Sequence, residues 1–393
     1  ISNVVIIRGE INFEALRRTF KQLIVRHESF RTSFFSVGDS AVQRIHSPAE
    51  IEFRIEYFEI GRGEPCVRPS LCSPKAIASI INRFIRPFDL TKAPLLRVGL
   101  IQIEKNSHLL MVDMHHIISD GLSHEILAAD FAALYEGKAL PPLRIQYRDF
   151  CEGQDRLTRS GEMAKQERFW LDMFPDGHIP VLDIPVDFPR PAVRDIGAGD
   201  YFNIELGKSL CNKCYKIAEE TGATLFMVTL AAYNILLSIY TNREDIVVGT
   251  LLTGRSHAEL KNIIGMFVKT LPLRNFPGRN KTFRQFLAEV KENMLAVYEN
   301  QNYSFDDLIV KLRLQGDSSR NPLFDTLFTM NTFAVDLYGG HDAFRLEPYE
   351  FEAKFAKFDL YFLVTESKGT LSLLLRYSTQ LFKPALIPLW WDS

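Results

Sequence analysis

Two apolar segments, "LLRVGLIQI" (95–103) and "HLLMVDMHHI" (108–117), are separated only by the polar residues "EKNS". Short runs rich in Val, Ile and Leu with a polar link between them read as a pair of strands. The next segment, "LSHEILAADFAALYEG" (122–137), switches to helical periodicity and stops at Gly137. Two strands feeding directly into an amphipathic helix commit the chain to mixed α/β layers, in which helices cover a sheet.

The pattern recurs on both sides. "VVIIRGEI" (4–11) reads as a strand, and Asn12 is placed to cap a helix with Phe13, Leu16, Phe20, Leu23 and Ile24 on one face. From 151 to about 175 the chain is charged and helical, and then "FPDGHIPVLDIPVDFPRPAVRDIGAG" gathers Pro and Gly as a linker would. This puts a domain boundary near 178, dividing the chain into 1–178 and 179–393. The second half repeats the style. Strands "YFNIEL", "DIVVGTLL" and "KTLPLRNF" alternate with a long apolar helix and with the helix "TFRQFLAEVKENMLAVYEN", and further strands are expected near 323–331, 358–365 and 370–376. The expected architecture is two α/β sandwich lobes, without a repeat strong enough to establish internal duplication.

Composition removes several function classes. With 46 Lys+Arg against 48 Asp+Glu the formal net charge is −2, leaving no basic excess to condense on nucleic acid. The longest apolar run, 225–240, is short for a bilayer and contains Thr229, Asn234 and Ser238, so it reads as a buried core helix and no membrane partner is expected. Five cysteines, at 66, 72, 151, 211 and 214, make no disulfide framework. The lone "CNKC" (211–214) lacks the second pair a structural zinc site needs. No signal peptide is visible and the opening residues are already strand-like. The natural N-terminus is therefore expected upstream, and the cytoplasm is the default compartment.

The chemistry concentrates in "MVDMHHIISDGLS" (111–123). In a strand, neighbouring side chains point to opposite faces, so His115 and His116 are poorly placed to share a metal ion, and the helical i, i+4 spacing of zinc-binding histidines is absent. One histidine can then face a cavity as general base or proton-stabilising group while the other is a buried structural residue. Asp120 has the position of a helix N-cap. Gly121 suits a turn that demands positive φ or a close backbone approach. Singly, none of these residues defines a site.

Together they match a signature. "HHIISDG" (115–121) resembles the H-H-x-x-x-D-G motif of the condensation domains of non-ribosomal peptide synthetases. "RHESFRTSF" (26–34) resembles their R-H-E-x-L-R-T-x-F segment, with Phe30 in the Leu position. "YRDF" (147–150), "IIGMFVKTLPLR" (263–274), "NYSFDDL" (302–308) and "SRNPLFDTLF" (319–328) are similar to later motifs of that family, in the family's order. The family's opening S-x-A-Q motif is missing, as expected of a chain that starts inside the domain, and Lys269 replaces the usual Asn of F-V-N-T.

The resemblance implies a chloramphenicol acetyltransferase-like α/β fold, with two lobes in a V arrangement and a tunnel between them. It implies an acyltransferase that joins an upstream carrier-bound acyl or peptidyl thioester to the amine of a downstream carrier-bound aminoacyl thioester. No cofactor or metal would be bound by the chain itself. The carriers would bring phosphopantetheine, and an adenylation domain would be a neighbour. His116 would be the base or the group that holds the amine, and Gly121 would aim a backbone N–H at the reacting atoms. His115 would be structural, Asp120 would pair with Arg31, and Lys269 and Ser119 would line the substrate tunnel. Alternatives on the same fold are a starter-type domain using fatty acyl-CoA, an epimerisation domain, whose glutamate-containing motifs are not found here, and a non-catalytic recruitment module.

Overall fold

A computed structural model describes residues 2–38, 40–58, 74–104, 106–314, 316–332, 345–349, 355–385 and 387. In chain order these form β1 (Ser2–Arg8), α1 (Phe13–Arg26), β2 (Thr32–Val37), β3 (Ser40–Ile45), β4 (Ile55–Phe58), α2 (Pro74–Phe84), β5 (Leu96–Glu104), β6 (Ser107–Met114), α3 (Gly121–Tyr135), α4 (Tyr147–Arg159) and α5 (Met163–Met173). Then come β7 (Gly199–Glu205), α6 (Lys208–Thr221), α7 (Leu225–Thr241), β8 (Ile246–Leu252), β9 (Lys269–Asn275), α8 (Phe283–Glu299), α9 (Phe305–Lys311), β10 (Thr326–Thr332), β11 (Arg345–Pro348), β12 (Leu360–Ser367) and β13 (Thr370–Ser378).

The chain divides into two compact units, each with its own sheet. The first holds residues 2–155, 255–268 and β11; the second holds 156–254, 269–332 and the described residues from 355 onward. A single cut near 178 does not separate them. The Pro/Gly-rich stretch expected to be a linker lies wholly in the second unit, where Phe174, Leu182 and Ile184 join the core. Its Asp187 and Phe188 N–H groups donate to the Leu381 carbonyl. The stretch is irregular because proline removes ladder donors, yet it is packed rather than free.

In the first unit the strand order is β11-β1-β6-β5-β4, and β6 at the centre is buried along its whole length. Period-two alternation divides its side chains between two layers. Leu110, Val112 and Met114 pack with Leu16, Phe20 and Leu23 of α1 and Ile126 and Leu127 of α3. Leu109 and Met111 face the other way, against Ile77, Ile80, Ile81 and Phe84 of α2. The expected cap holds, since Asn12 accepts from the Ala15 N–H. Phe13 departs from the expected buried face: it is 47% exposed and meets Tyr57 edge-on. The largely exposed hairpin β2–β3 and the short edge strands β4 and β11 carry no periodic signal strong enough to stand out in the sequence, whereas α2, with Ile77, Ile80, Ile81 and Phe84 at helical spacing, was legible and escaped the sequence reading.

The second sheet runs β7-β13-β12-β10-β8-β9, with β10 parallel to both β12 and β8. The apolar run of 225–240 is α7, whose Leu230, Ala231, Tyr233 and Leu237 are core residues. Among the described residues no single helix is long and apolar enough to cross a membrane. Cys211 and Cys214 sit on α6 as free thiols, while Cys66 and Cys72 lie outside the described residues.

Gly99 of β5 lets α2 approach the sheet: a Cβ there would lie 2.6 Å from Met111 Cε and 2.8 Å from the Phe84 ring. Gly99→Ala is therefore expected to destabilise the protein by about 1–3 kcal/mol through overpacking, measured as a lowered urea midpoint with unchanged slope.

Candidate active site

Strand β6 ends at Met114, so the two histidines lie just beyond it rather than within it. His115 caps a one-turn 3-10 helix, His116–Ile118. The alternation expected at 115 and 116 therefore does not apply, and hydrogen bonding sets the two rings apart instead. His115 Nδ1 accepts the Ile117 N–H at 3.1 Å, which places its proton on Nε2 when the ring is neutral. Its ring meets Phe88 edge-on at 6.0 Å, and the Arg97 guanidinium stacks 3.6 Å from the Phe88 centroid. Burial lowers the His115 pKa, with His116 adding to the shift. The neutral ring is thus held by the Ile117 N–H and packed edge-on against Phe88.

His116 has the opposite tautomer. Its Nδ1 lies 2.8 Å from the Ser119 carbonyl, and a carbonyl only accepts, so Nδ1 carries the proton. Nε2 is then the lone-pair nitrogen, and it has no hydrogen-bond partner among the described residues. The half-buried ring is tethered at one nitrogen and free at the other. Ser119, expected to line a substrate path, is fully buried and its hydroxyl donates to the His115 carbonyl. What it contributes to the site is the carbonyl that fixes His116.

Asp120 caps α3 through the Ser123 N–H at 2.8 Å. Its ion-pair partner is Arg255, not Arg31: Arg255 Nη2 lies 2.9 and 3.2 Å from the two carboxylate oxygens. Arg31 is turned away, donating to the carbonyls of Ile24 and His46. It thereby braces the end of α1 against the chain after β3. The Phe267 N–H donates to Asp120 Oδ2 at 3.1 Å and the Ser123 hydroxyl to Oδ1 at 2.7 Å. Both oxygens are occupied. Gly121 needs neither positive φ nor a close neighbour, because a Cβ there would meet nothing within 4 Å. It is an exposed first helical residue whose N–H has no partner among the described residues, beside open space.

Three of the dispersed motifs, at 26–34, 147–150 and 263–267, meet at this loop, while those at 302–308 and 319–328 belong to the second unit. Arg255 Nη1 donates to the Leu260 and Ile263 carbonyls, and its guanidinium lies 4.0 Å from the centre of the Phe267 ring. The Gly265 N–H donates to Ser123 Oγ at 3.1 Å. Tyr147 of "YRDF" packs closely against Gly265, where a Cβ would come within 2.2 Å of its ring, and donates to the Met266 carbonyl. Ser29 of "RHESF" donates to the Ile264 carbonyl. In the same segment His27 and Arg26 both bond Asp130 of α3. Residues 255–268 are held in the first unit by these contacts.

Arg255 and Ser123 escaped the sequence reading. The only signal for Arg255 is a cation directly after an apolar strand in "LLTGRSH", which nothing local connects to Asp120. His124 was also missed: its Nδ1 accepts from the Asn3 amide at 2.7 Å, and burial lowers its pKa to about 4. In the second unit, Lys269 opens β9 and donates from Nζ to Asn302 Oδ1 at 2.6 Å. It is half-buried and burial pulls its pKa down to about 8, so it is not a solvated strand-edge charge.

A family model described as Condensation domain matches residues 1–393. Gramicidin S synthase 2 of Brevibacillus brevis is 44% identical over 388 residues, covering 97% of this chain and 8% of that protein. Tyrocidine synthase 3 of Brevibacillus parabrevis is 46% identical over 374 residues, covering 95% of this chain and 6% of that protein. The chain thus spans a small part of the length of the curated relatives it matches. Among solved structures, the condensation domain of the Monacolin K polyketide synthase MokA superposes with a TM-score of 0.83 at 19% identity, covering 100% of this chain and 90% of that one. The epimerization domain from the third module of tyrocidine synthetase B gives 0.81 at 18% identity, covering 100% and 88%. The fold is the chloramphenicol acetyltransferase-like α/β fold that the motifs implied.

Two measurements check this geometry. Arg255→Met strands a buried carboxylate and is expected to cost about 3–5 kcal/mol in urea unfolding, with part of the loss restored in Asp120→Asn/Arg255→Met. Folding holds His124 neutral down to about pH 4, whereas an unfolded histidine protonates near ~6.5. The unfolded state then binds more protons between those values, so stability present at neutral pH falls as pH drops through that window. Urea midpoints at neutral and acidic pH are expected to differ more in the wild type than in His124→Gln.

Proposed function

Because the chain belongs to the condensation-domain family, we propose that it joins a donor acyl or peptidyl thioester to the amine of an acceptor aminoacyl thioester. Each is delivered on the phosphopantetheine arm of a carrier domain, and an adenylation domain stands beside them in the assembly. The enzyme is an acyltransferase. The acceptor nitrogen attacks the donor carbonyl, the C–N bond forms, the C–S bond breaks, and the donor arm leaves as a thiol while the amine loses one proton.

The observation that carries this reading is the tautomer of His116: Nδ1–H committed to the Ser119 carbonyl, Nε2 unoccupied. An α-amino group has a pKa near ~8 and is mostly ammonium at neutral pH, so a nearby lone pair has a proton to manage. We assign Nε2 to that task, as base toward the amine or as its hydrogen-bond acceptor during attack. The Gly121 N–H, an unpaired donor at a helix start, is assigned to the charge that develops on the donor carbonyl oxygen. Asp120 is a brace, since its oxygens are already taken. Lys269 is assigned to substrate recognition through the N–H donors it does not spend on Asn302. A thioester is an activated acyl group, so positioning supplies much of the remaining requirement, on the order of 7–11 kcal/mol in favourable cases.

The experiment is to incubate the protein with two differently loaded carriers and read the product by mass spectrometry. His116→Ala is expected to lower turnover by roughly 10²–10⁴-fold with an unchanged circular dichroism spectrum; wild-type turnover would remove His116 from the mechanism. Asp120→Asn is expected to keep more activity than Asp120→Ala. Product from acyl-CoA, without a loaded donor carrier, would move the assignment to a starter-type domain.

A further inference from the structure

Helix α1 has a second, outward face that the site does not use. Glu14, Arg17, Arg18, Lys21, Gln22 and Val25 are all exposed, at helical spacings of three and four residues, so they form one stripe along the helix. That stripe is one wall of a groove of about 640 Å³, and Leu140, Pro142 and Leu143 of the segment between α3 and α4 help to form the other.

The groove is basic in a chain that is otherwise balanced. Four cations line it against a single carboxylate, Glu14, while the whole chain has a formal charge of −2. Two of the four are already matched, since Arg17 pairs with Glu14 and Arg26 with Asp130. Arg18 and Lys21, one turn apart, have no ion-pair partner among the described residues. Val25 continues the stripe as an apolar residue 54% exposed.

We propose that this groove is a docking site for an acidic amphipathic helix of a partner protein. The occupant is fixed by shape and charge together. Residues 14 to 25 span about 16 Å at ~1.5 Å per residue, which accommodates roughly three turns of a second helix laid alongside. Carboxylates on one flank of that helix face Arg18 and Lys21, and its apolar residues meet Val25 and the Leu140–Leu143 wall. A concave cleft between a helix and a loop suits a helix better than a flat bilayer surface. The site is independent of amide formation, so its test reads binding and not turnover.

The probe is a fluorescein-labelled synthetic helix with Glu on one flank and Leu along the other. Its Lys-for-Glu counterpart and vesicles containing phosphatidylglycerol are the comparison arms. The acidic peptide is expected to bind by fluorescence anisotropy, more weakly as salt rises. Arg18→Glu/Lys21→Glu is expected to weaken it by about tenfold or more, Arg18→Gln/Lys21→Gln by less, and Lys213→Glu on α6 not at all. Matching circular dichroism spectra and melting temperatures separate lost binding from lost folding. Equal binding of the basic peptide, no binding of the acidic one, or binding indifferent to both double variants overturns the proposal. So does vesicle binding that depends on Arg18 and Lys21 while the peptide does not bind.

Discussion

The Asp120 carboxylate and the Arg255 guanidinium are 3% and 2% exposed, and the loop carrying the paired histidines is built around them. Withdrawing two such charges from water costs several kcal/mol each, so the pair is tolerable only if the remaining hydrogen-bonding capacity is filled. It largely is. Asp120 takes N–H groups from Ser123 and Phe267 and the Ser123 hydroxyl, while Arg255 gives its second terminal nitrogen to two carbonyls and stacks on Phe267. Only the Arg255 Nε–H is buried without a partner. The pair therefore does more than attract: it fixes the start of α3 and pins residues 255–268 in a unit whose other residues, apart from β11, end at Asp155.

That pinning explains why the units are discontinuous in sequence. The central strand β6 is covered on both faces, so the histidine loop starts from a packed, fully buried strand end. Tyr147 on Gly265 and Ser29 on Ile264 add contacts from two further motifs. The segments at 26–34, 147–150 and 263–267 are thus parts of the scaffold around the histidine loop.

Two adjacent imidazoles end up chemically different although their covalent surroundings are nearly the same. The backbone offers His115 an N–H, from Ile117, and offers His116 a carbonyl, from Ser119. A donor fixes one tautomer and an acceptor fixes the other. This division of labour needs no charge and no metal.

Much of the architecture was legible from sequence. Apolar runs at 95–103 and 108–117 joined by a short polar link marked the central strands, Asn12 and Asp120 read as caps, and the run at 225–240 read as a core helix. These features depend on residues within a few positions of each other, where periodicity and capping chemistry operate. The motif set also located the histidine loop. What the tertiary structure alone decided was pairing at long range: Arg255 rather than Arg31 as the partner of Asp120, 135 residues away, and the packing of the Pro/Gly-rich stretch onto the second unit. Charge type and spacing leave a buried cation's partner undetermined, because which arginine reaches a carboxylate depends on how distant segments fold over it.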